Sequence, residues 1–503
     1  MTDKILYLID GWFFNFGVAH NLQKHEKFDS YAIIDVDDKA RDFYEKQNLV
    51  KFNKEWYYLD AFNTKKKIPD LNYLSNFESR YKINLWSIIY NDREFYKYNK
   101  FHNFSYDDIL LILEQECRFF EQILDDIQPD FLSMYIPVSH HQQLLLKLAK
   151  RKGIKILMFT PVRFGGRMMI SEEAGMPDKW NIHKTISSEK KTFEELENFL
   201  KNHDSSKAIA NYTKAHFESH KFERYKAILN FFISKRGKNY NNRYSNLGKT
   251  RIKTLLDKFS RYFQRKSAIS FMNKYFIKNL NDNTNFVYFA LHSEPERALL
   301  IGAPYFANQI SVIENIAKSL PMGYKLYVKD HPAQVVYGWR NISYYKQIMS
   351  LPNVEILHNS LTSAQIIPKS NLVISIGGTP GVEAIFHKKP SIVFTDQLYS
   401  DLPSVYQINN YEELPKAIEL SLQKQVDIND LANFVEKIKK VSFNFVINNI
   451  MEDFSIRFGF KGPVMDAFMP VAEVKSFLDD HNLEFQKLAS EHQKKIQEHK
   501  IKS

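Results

Sequence analysis

The sequence predicts an α/β protein of two Rossmann-like domains in tandem, joined by a basic helical insert and closed by a helical C-terminus. Three observations lead there. The chain has 503 residues, beyond the roughly 250 to 300 at which a single hydrophobic core stops growing. Short apolar runs alternate with segments of helical period in both halves, the mark of parallel strands covered by helices. The net charge of +11 is concentrated, because between Lys221 and Asn279 sixteen Lys and Arg stand against Glu223 and Asp257, leaving the remainder slightly acidic.

Each element follows from its local pattern. Lys4 to Ile9 reads as a strand, Trp12 to Lys24 as a helix, Tyr31 to Ile34 as a strand and Lys39 to Gln47 as a helix. After an aromatic-rich stretch come a helix from Asp107 to Ile127, a strand from Phe131 to Ile136, a helix from His140 to Arg151 stopped by Gly153, and a strand from Lys155 to Phe159. These make a first domain over residues 1–176. Residues 177–283 carry a helical period without a strong strand signal and form the insert. Within it Ile252, Leu255, Leu256, Phe259 and Phe263 repeat at helical spacing, with Arg251, Lys253, Lys258, Arg261 and Arg265 largely elsewhere on the wheel, predicting a basic amphipathic helix.

The alternation resumes over residues 284–410. Strands are expected at Phe286–Leu291, Lys325–Lys329, Val354–Leu357, Leu372–Ile376 and Ser391–Phe394. Helices fall between them at Asn308–Leu320, Tyr344–Ser350, Ser363–Ile367 and Val382–His387. Residues 411–503 read as helices, the last thirty or so, rich in Lys, Glu, Gln and His, as a solvated or frayed terminal helix.

Composition excludes several classes. With 44% apolar residues the chain can fill packed interiors. A single cysteine, Cys117, rules out internal disulfides and Cys-rich zinc sites and fits a reducing, cytoplasmic setting. The N-terminus reaches Asp10 too soon for a signal peptide, and no run of about 18 uncharged apolar residues offers a membrane span, so any membrane contact is expected to be peripheral. Gly11 and Gly17 do not make a dinucleotide loop, so no nicotinamide or flavin cofactor is expected.

Function is expected in loops after strands, where such sheets bind ligands. After the first, second and fourth strands expected over residues 284–410, three loops stand out. Lys329-Asp330-His331-Pro332 presents a lysine and a histidine, with Pro332 keeping His331 out of helical geometry. Gly377-Gly378-Thr379-Pro380-Gly381 opens a helix that carries Glu383; its glycines permit close backbone approach, Thr379 sits where an N-cap hydroxyl would be, and the helix N-terminus suits a phosphate. Glu383 is placed to accept ribose hydroxyls or to complement the helix dipole. His292-Ser293-Glu294-Pro295-Glu296-Arg297 adds ionisable groups at the same edge, so Lys329, His331, Gly378, Thr379, Glu383, Glu294 and Glu296 are the candidate nucleotide-binding residues.

The runs FALHSEPERALLIGAPYFANQ (289–309), LYVKDHP (ending at Pro332), LPNVEILHNS and SIGGTPGVEAIFHKKPSIVF (ending at Phe394) resemble the C-terminal domain of bacterial capsule and surface-polysaccharide transferases. That group includes β-Kdo transferases and is similar in architecture to sialyltransferases and CDP-glycerol glycerophosphotransferases. The resemblance implies a GT-B architecture, a nucleotide-sugar donor of the CMP type such as CMP-Kdo, a glycan or lipid-linked glycan acceptor, and phosphate contacts from His331 and Thr379. No metal is expected, and no cofactor beyond the donor itself.

For the acceptor's general base the first domain offers Asp10 at the end of the first strand, His140 in the pair His140-His141, and Glu172 and Glu173, with Arg163 and Arg167 nearby as possible anchors of an anionic sugar. Asp35-Val36-Asp37 looks like a metal-binding Asp-X-Asp but reads as structural. Two rival readings stay open: a nucleotide-sugar epimerase, which shares the two-domain cleft, and a non-catalytic anion- or nucleic-acid-binding protein acting through the basic segment and its aromatics.

Overall fold

The computed structural model describes residues 2–62, 68–95, 98–162, 165–178, 191–201, 237, 239–459 and 464–502. Its strands form two sheets. The first takes β1 (Lys4–Ile9), β2 (Asp29–Ile34), β3 (Lys54–Tyr57), β4 (Phe131–Tyr135), β5 (Lys155–Pro161) and β6 (Arg167–Ser171). The second takes β7 (Phe286–Ala290), β8 (Lys325–Lys329), β9 (Val354–Leu357), β10 (Leu372–Ser375), β11 (Ser391–Val393) and β12 (Val405–Gln407), and a two-residue β13 (Phe443–Asn444) returns to the first. The first sheet runs β13-β6-β5-β4-β1-β2-β3 and the second β12-β11-β10-β7-β8-β9. All six strands of the second sheet pair in parallel. Two Rossmann-like domains result, as the alternation predicts.

In both sheets the central strands are buried on two faces, which is why they read as unbroken apolar runs. Sequence reading misses β3, β6, β12 and β13. β6 lies antiparallel to β5, with Met158 opposite Ser171 and Pro161 opposite Met168. The chain therefore turns back from the carboxyl edge at that point, a geometry that decides the fate of two candidate residues below.

The insert is only partly among the described residues; the positions of its charge between 221 and 236 lie outside them. The described part is fastened to the first domain. Arg243 is buried and its guanidinium bonds Asp35, at 2.7 Å, and Asp37. Asn246 donates to Asp37, and the Tyr244 hydroxyl donates to Asp92. Asp35 and Asp37 are thus ion-paired to Arg243. The amphipathic helix spans Arg251–Tyr275, capped by the Thr250 hydroxyl. Its C-terminal part enters the second core through Ala268 and Met272, whereas Ile252, Leu256, Phe259 and Phe263 are 70%, 62%, 56% and 65% exposed.

The terminal helix Asn482–Lys502 corrects the expectation of a solvated tail. Phe485, Leu488, Ala489, His492 and Ile496 are buried in the core of the first domain. A Cβ built on Gly17 would lie 2.2 Å from the Phe485 ring, so Gly17 is glycine because this helix crosses there. No helix among the described residues is long and apolar enough to cross a membrane.

Candidate active site

β10, β7 and β8 are neighbours at the centre of the second sheet, so the loops that follow them open side by side. The loop after β7 is pinned by two glutamines. Gln309 accepts from the His292 amide (2.8 Å) and donates to the His292 carbonyl (3.1 Å). Gln334 does the same for Glu294, accepting from its amide (2.9 Å) and donating to its carbonyl (3.1 Å). Buried Arg340 joins this loop to the next, pairing with Glu294 at 2.8 Å and Asp330 at 3.2 Å and donating to the His292 carbonyl. Asp330 also accepts from the Tyr345 hydroxyl at 2.5 Å. A buried cation shared between two carboxylates and a carbonyl in this way fixes loop geometry.

After β8 a 3₁₀ turn begins at Pro332, leaving His331 just outside it. The Ala333 amide donates to His331 Nδ1 at 3.2 Å, so the neutral ring carries its hydrogen on Nε2. Burial lowers the pKa of His331 and also that of Lys329, the latter partly restored by Asp330 and Glu383. An anion arriving at this edge removes that penalty by supplying an opposite charge.

After β10 the helix Thr379–Phe386 is capped by Gly378, whose amide donates to the Ser375 hydroxyl at 2.9 Å. Gly378 has an ordinary backbone φ of −98°. Crowding explains both glycines: a Cβ on Gly378 would lie 3.1 Å from His292 and Ser375, and one on Gly377 2.3 Å from the Thr395 hydroxyl. Thr379 is the first helical residue and not the cap, so its hydroxyl makes no capping bond.

Together these loops line a cleft of about 460 Å³ containing Lys329, His331, Gly378, Thr379, Glu383 and Glu296. Tyr288, Ser363 and Ser375 complete its wall, and Arg93, Tyr135 and Val138 face it from the first domain. The domains touch around it: Arg297 donates to the Pro137 carbonyl at 3.0 Å, and Arg93 reaches the Pro295 carbonyl at 3.4 Å. Glu294 does not line the cleft. Its carboxylate is taken up by Arg340, Gln309 (2.6 Å) and the Tyr98 hydroxyl (3.2 Å), so it supports the loop from behind.

The first-domain candidates do not converge on this cleft. His140 is fully buried, with Nδ1 2.7 Å from Asp92 and Nε2 2.8 Å from Glu116. Despite burial, these two carboxylates raise its pKa to about 10, so it is a cation held in an ion-pair network and has no lone pair for a substrate proton. Glu172 and Glu173 are carried away from the carboxyl edge by antiparallel β6; they pair with His499 and Lys150. Arg167 ties β6 to the returning chain through Ser442 (2.8 Å) and Asn444, and Arg163 lies outside the described residues. Asp10 stays at the carboxyl edge of β1, accepting from the Trp12 amide at 3.0 Å. Burial raises its carboxyl to about 6. It is not among the residues lining the cleft. Ligand atoms of Glu116, His140 and His141 approach within 4.8 Å of one another, but His140 is already engaged on both nitrogens.

Residues 183–405 match the family model described as capsule polysaccharide biosynthesis protein. All four quoted motifs lie inside the capsule-family segment, as do the three loops of the cleft. No curated protein matches. Among solved structures, the UDP-GlcNAc 2-epimerase of Methanocaldococcus jannaschii aligns over 91% of this chain and 100% of its own at 14% identity and a TM-score of 0.26. The KpsC β-Kdo 2,4 transferase of Thermosulfurimonas dismutans aligns over 64% and 87% at 12% and 0.31, and its β-Kdo 2,7 transferase over 75% and 98% at 10% and 0.30. Likeness at this level does not choose between an epimerase and a transferase.

Proposed function

We propose that the protein is a glycosyltransferase of capsule polysaccharide synthesis, moving a sugar from a nucleotide-activated donor of the CMP type to a glycan or lipid-linked glycan acceptor. One observation carries the reading: the three polar loops of a capsule-family segment open together onto a cleft whose far wall is a second Rossmann-like domain. Lys329, His331 Nε2–H and the Thr379 helix end hold the donor phosphate and stabilise the negative charge that develops as it leaves. Glu383 accepts the ribose hydroxyls. These groups supply the compensating charge, so the proposal places no metal in the step. None of the four base candidates lines the cleft, so the proposal gives the acceptor's proton to none of them. The exposed apolar stripe of the Arg251–Tyr275 helix, bordered by lysines and arginines, gives the enzyme a peripheral contact with an anionic membrane, where a lipid-linked acceptor resides.

The test is acceptor dependence. Incubated with a nucleotide sugar, the enzyme is expected to release nucleotide only when a glycan acceptor is present. Conversion of the nucleotide sugar without any acceptor would replace the transferase reading with an epimerase.

A further inference from the structure

Outside the cleft, the first domain presents three large aromatic rings in contact with one another at its surface. They come from the short helix Leu85–Ile89, from its C-cap Tyr90 and from the first residue of the helix Tyr106–Ile127. Leu85, Ile88 and Ile89 turn into the core, which leaves Trp86 and Tyr90, four residues apart, on the outer face. The Trp86 ring lies stacked 5.8 Å from Tyr106 and tilted 5.9 Å from Tyr90. The three residues Trp86, Tyr90 and Tyr106 are 37%, 60% and 58% exposed. The helix that Tyr106 opens is capped by Ser105 and Asp108, so the tyrosine ring is not needed there. Aromatic surface gathered at one place, rather than scattered singly, is what binding surfaces are made of.

The chemistry of this ridge differs from that of the stripe on the helix Arg251–Tyr275. The stripe is Ile, Leu and Phe beside lysines and arginines, a surface for acyl chains and anionic headgroups. The ridge is Trp and Tyr, which join an apolar face to a polar edge, and residues Ile83 to Asp92 include no Lys or Arg. The side chains exposed beside Trp86 are the neutral Asn84 and Ser87. A sugar ring is the complement of such a surface, with C–H groups on its face and hydroxyls at its rim.

The ridge also leads to the cleft. Tyr90 stands three residues before Arg93, which lines the cleft and reaches the Pro295 carbonyl at 3.4 Å. Three residues of chain span at most about 11 Å. Asp92 fixes the turn between them, accepting from the Glu94 amide at 2.7 Å and the His140 amide at 3.2 Å.

We infer that the ridge of Trp86, Tyr90 and Tyr106 is a docking surface for the acceptor's glycan chain, holding sugar units remote from the one that reacts. The inference rests on the transferase reading of the cleft. Such a surface takes a repeating chain at any of its units, so it raises the local concentration of chain ends at the cleft without choosing the sugar transferred.

The experiment uses the capsular polysaccharide purified from the cells that make this protein, as intact chains and as single repeat units, in affinity electrophoresis and titration calorimetry. Wild type is expected to be retarded by intact chains and to bind them more tightly than the single unit. Trp86→Ala is expected to weaken binding of intact chains by about tenfold, and Tyr90→Ser or Tyr106→Ser by about threefold each, the size of an aromatic contact. The two tyrosines lie on separate elements and are more than half exposed, so their variants test the ridge even where Trp86→Ala disturbs the fold. Nucleotide affinity and sedimentation with anionic vesicles are expected to stay as in wild type. Wild type indifferent to the polysaccharide, or tyrosine variants that bind it like wild type, overturns the ridge. Loss of vesicle sedimentation with polysaccharide binding intact also overturns it, making the rings a lipid contact. Acceptor-dependent nucleotide release reports the transferase reading separately: release without any polysaccharide binding overturns the ridge alone, whereas conversion of the nucleotide sugar without acceptor fails that reading and the ridge with it.

Discussion

Replacing Arg340 by leucine isolates the element that holds the nucleotide loops together. The guanidinium is buried, pairs with Glu294 at 2.8 Å and Asp330 at 3.2 Å, and donates to the His292 carbonyl. Leucine fills part of the volume but leaves two carboxylates facing a low-dielectric interior. Breaking a buried pair by removing one partner costs about 3 to 5 kcal/mol, most of it the penalty of the orphaned charge. Asp330 carries the larger share, because it is fully buried and keeps only the Tyr345 hydroxyl and its own loop amide. Urea denaturation should therefore show a loss of about 3 to 5 kcal/mol for Arg340→Leu, and Asp330→Asn added to it should recover part of that loss. Additive destabilisation by the two substitutions, or a loss below about 1 kcal/mol for Arg340→Leu, would refute the claim that one cation neutralises both loops.

Three further outcomes are expected. His140 is raised to about 10 against an unfolded value near 6.5 by Asp92 and Glu116, with Tyr58, Tyr244, Phe95 and His141 packed around it. Its contribution to stability is therefore complete below about pH 6.5 and is lost as pH rises toward 10; His140→Gln should flatten the wild-type decline across that window, and an identical decline in both proteins would contradict it. Phe485→Ala should cost about 3 to 5 kcal/mol in denaturant unfolding by emptying the space beside Gly17, a loss a solvated tail would not show. Wild type should sediment with anionic but not neutral vesicles, and glutamine at Lys253, Lys258, Arg261 and Arg265 should release it; recovery in the supernatant with both lipids would end the membrane proposal.

What could be read in the sequence was what is encoded locally. Buried parallel strands such as Leu372–Ser375 announce themselves as apolar runs, and the loops after them carry Lys329, His331, Gly378 and Thr379 within a few residues of a strand end. β3 has no buried residue and β12 only half-buried ones, so neither has a face to betray it. The terminal helix did carry a stripe, at 485, 488, 489, 492 and 496, but one member is His492, pushed down to about 4 by burial, and the surrounding Lys, Glu and Gln masked the rest. His140 misled because its partners Asp92 and Glu116 come from other elements, and Glu172 and Glu173 because the reversal of direction at β6 is invisible without strand pairing. Arg340, Gln309 and Gln334 act on loops distant in the chain, which no local pattern reports.

The central claim is a nucleotide phosphate held by His331 and Thr379, and the most direct measurement is nucleotide binding by wild type, His331→Ala and Thr379→Ala against CMP, CDP, UDP and GDP. At about 100 times its Kd the cognate nucleotide should stabilise wild type by about 2.7 kcal/mol in thermal unfolding. Each substitution should weaken that binding by about 1.5 to 3 kcal/mol while the unliganded proteins unfold like wild type. Stabilisation by none of the four nucleotides, or equal affinity in wild type and both variants, would contradict the account.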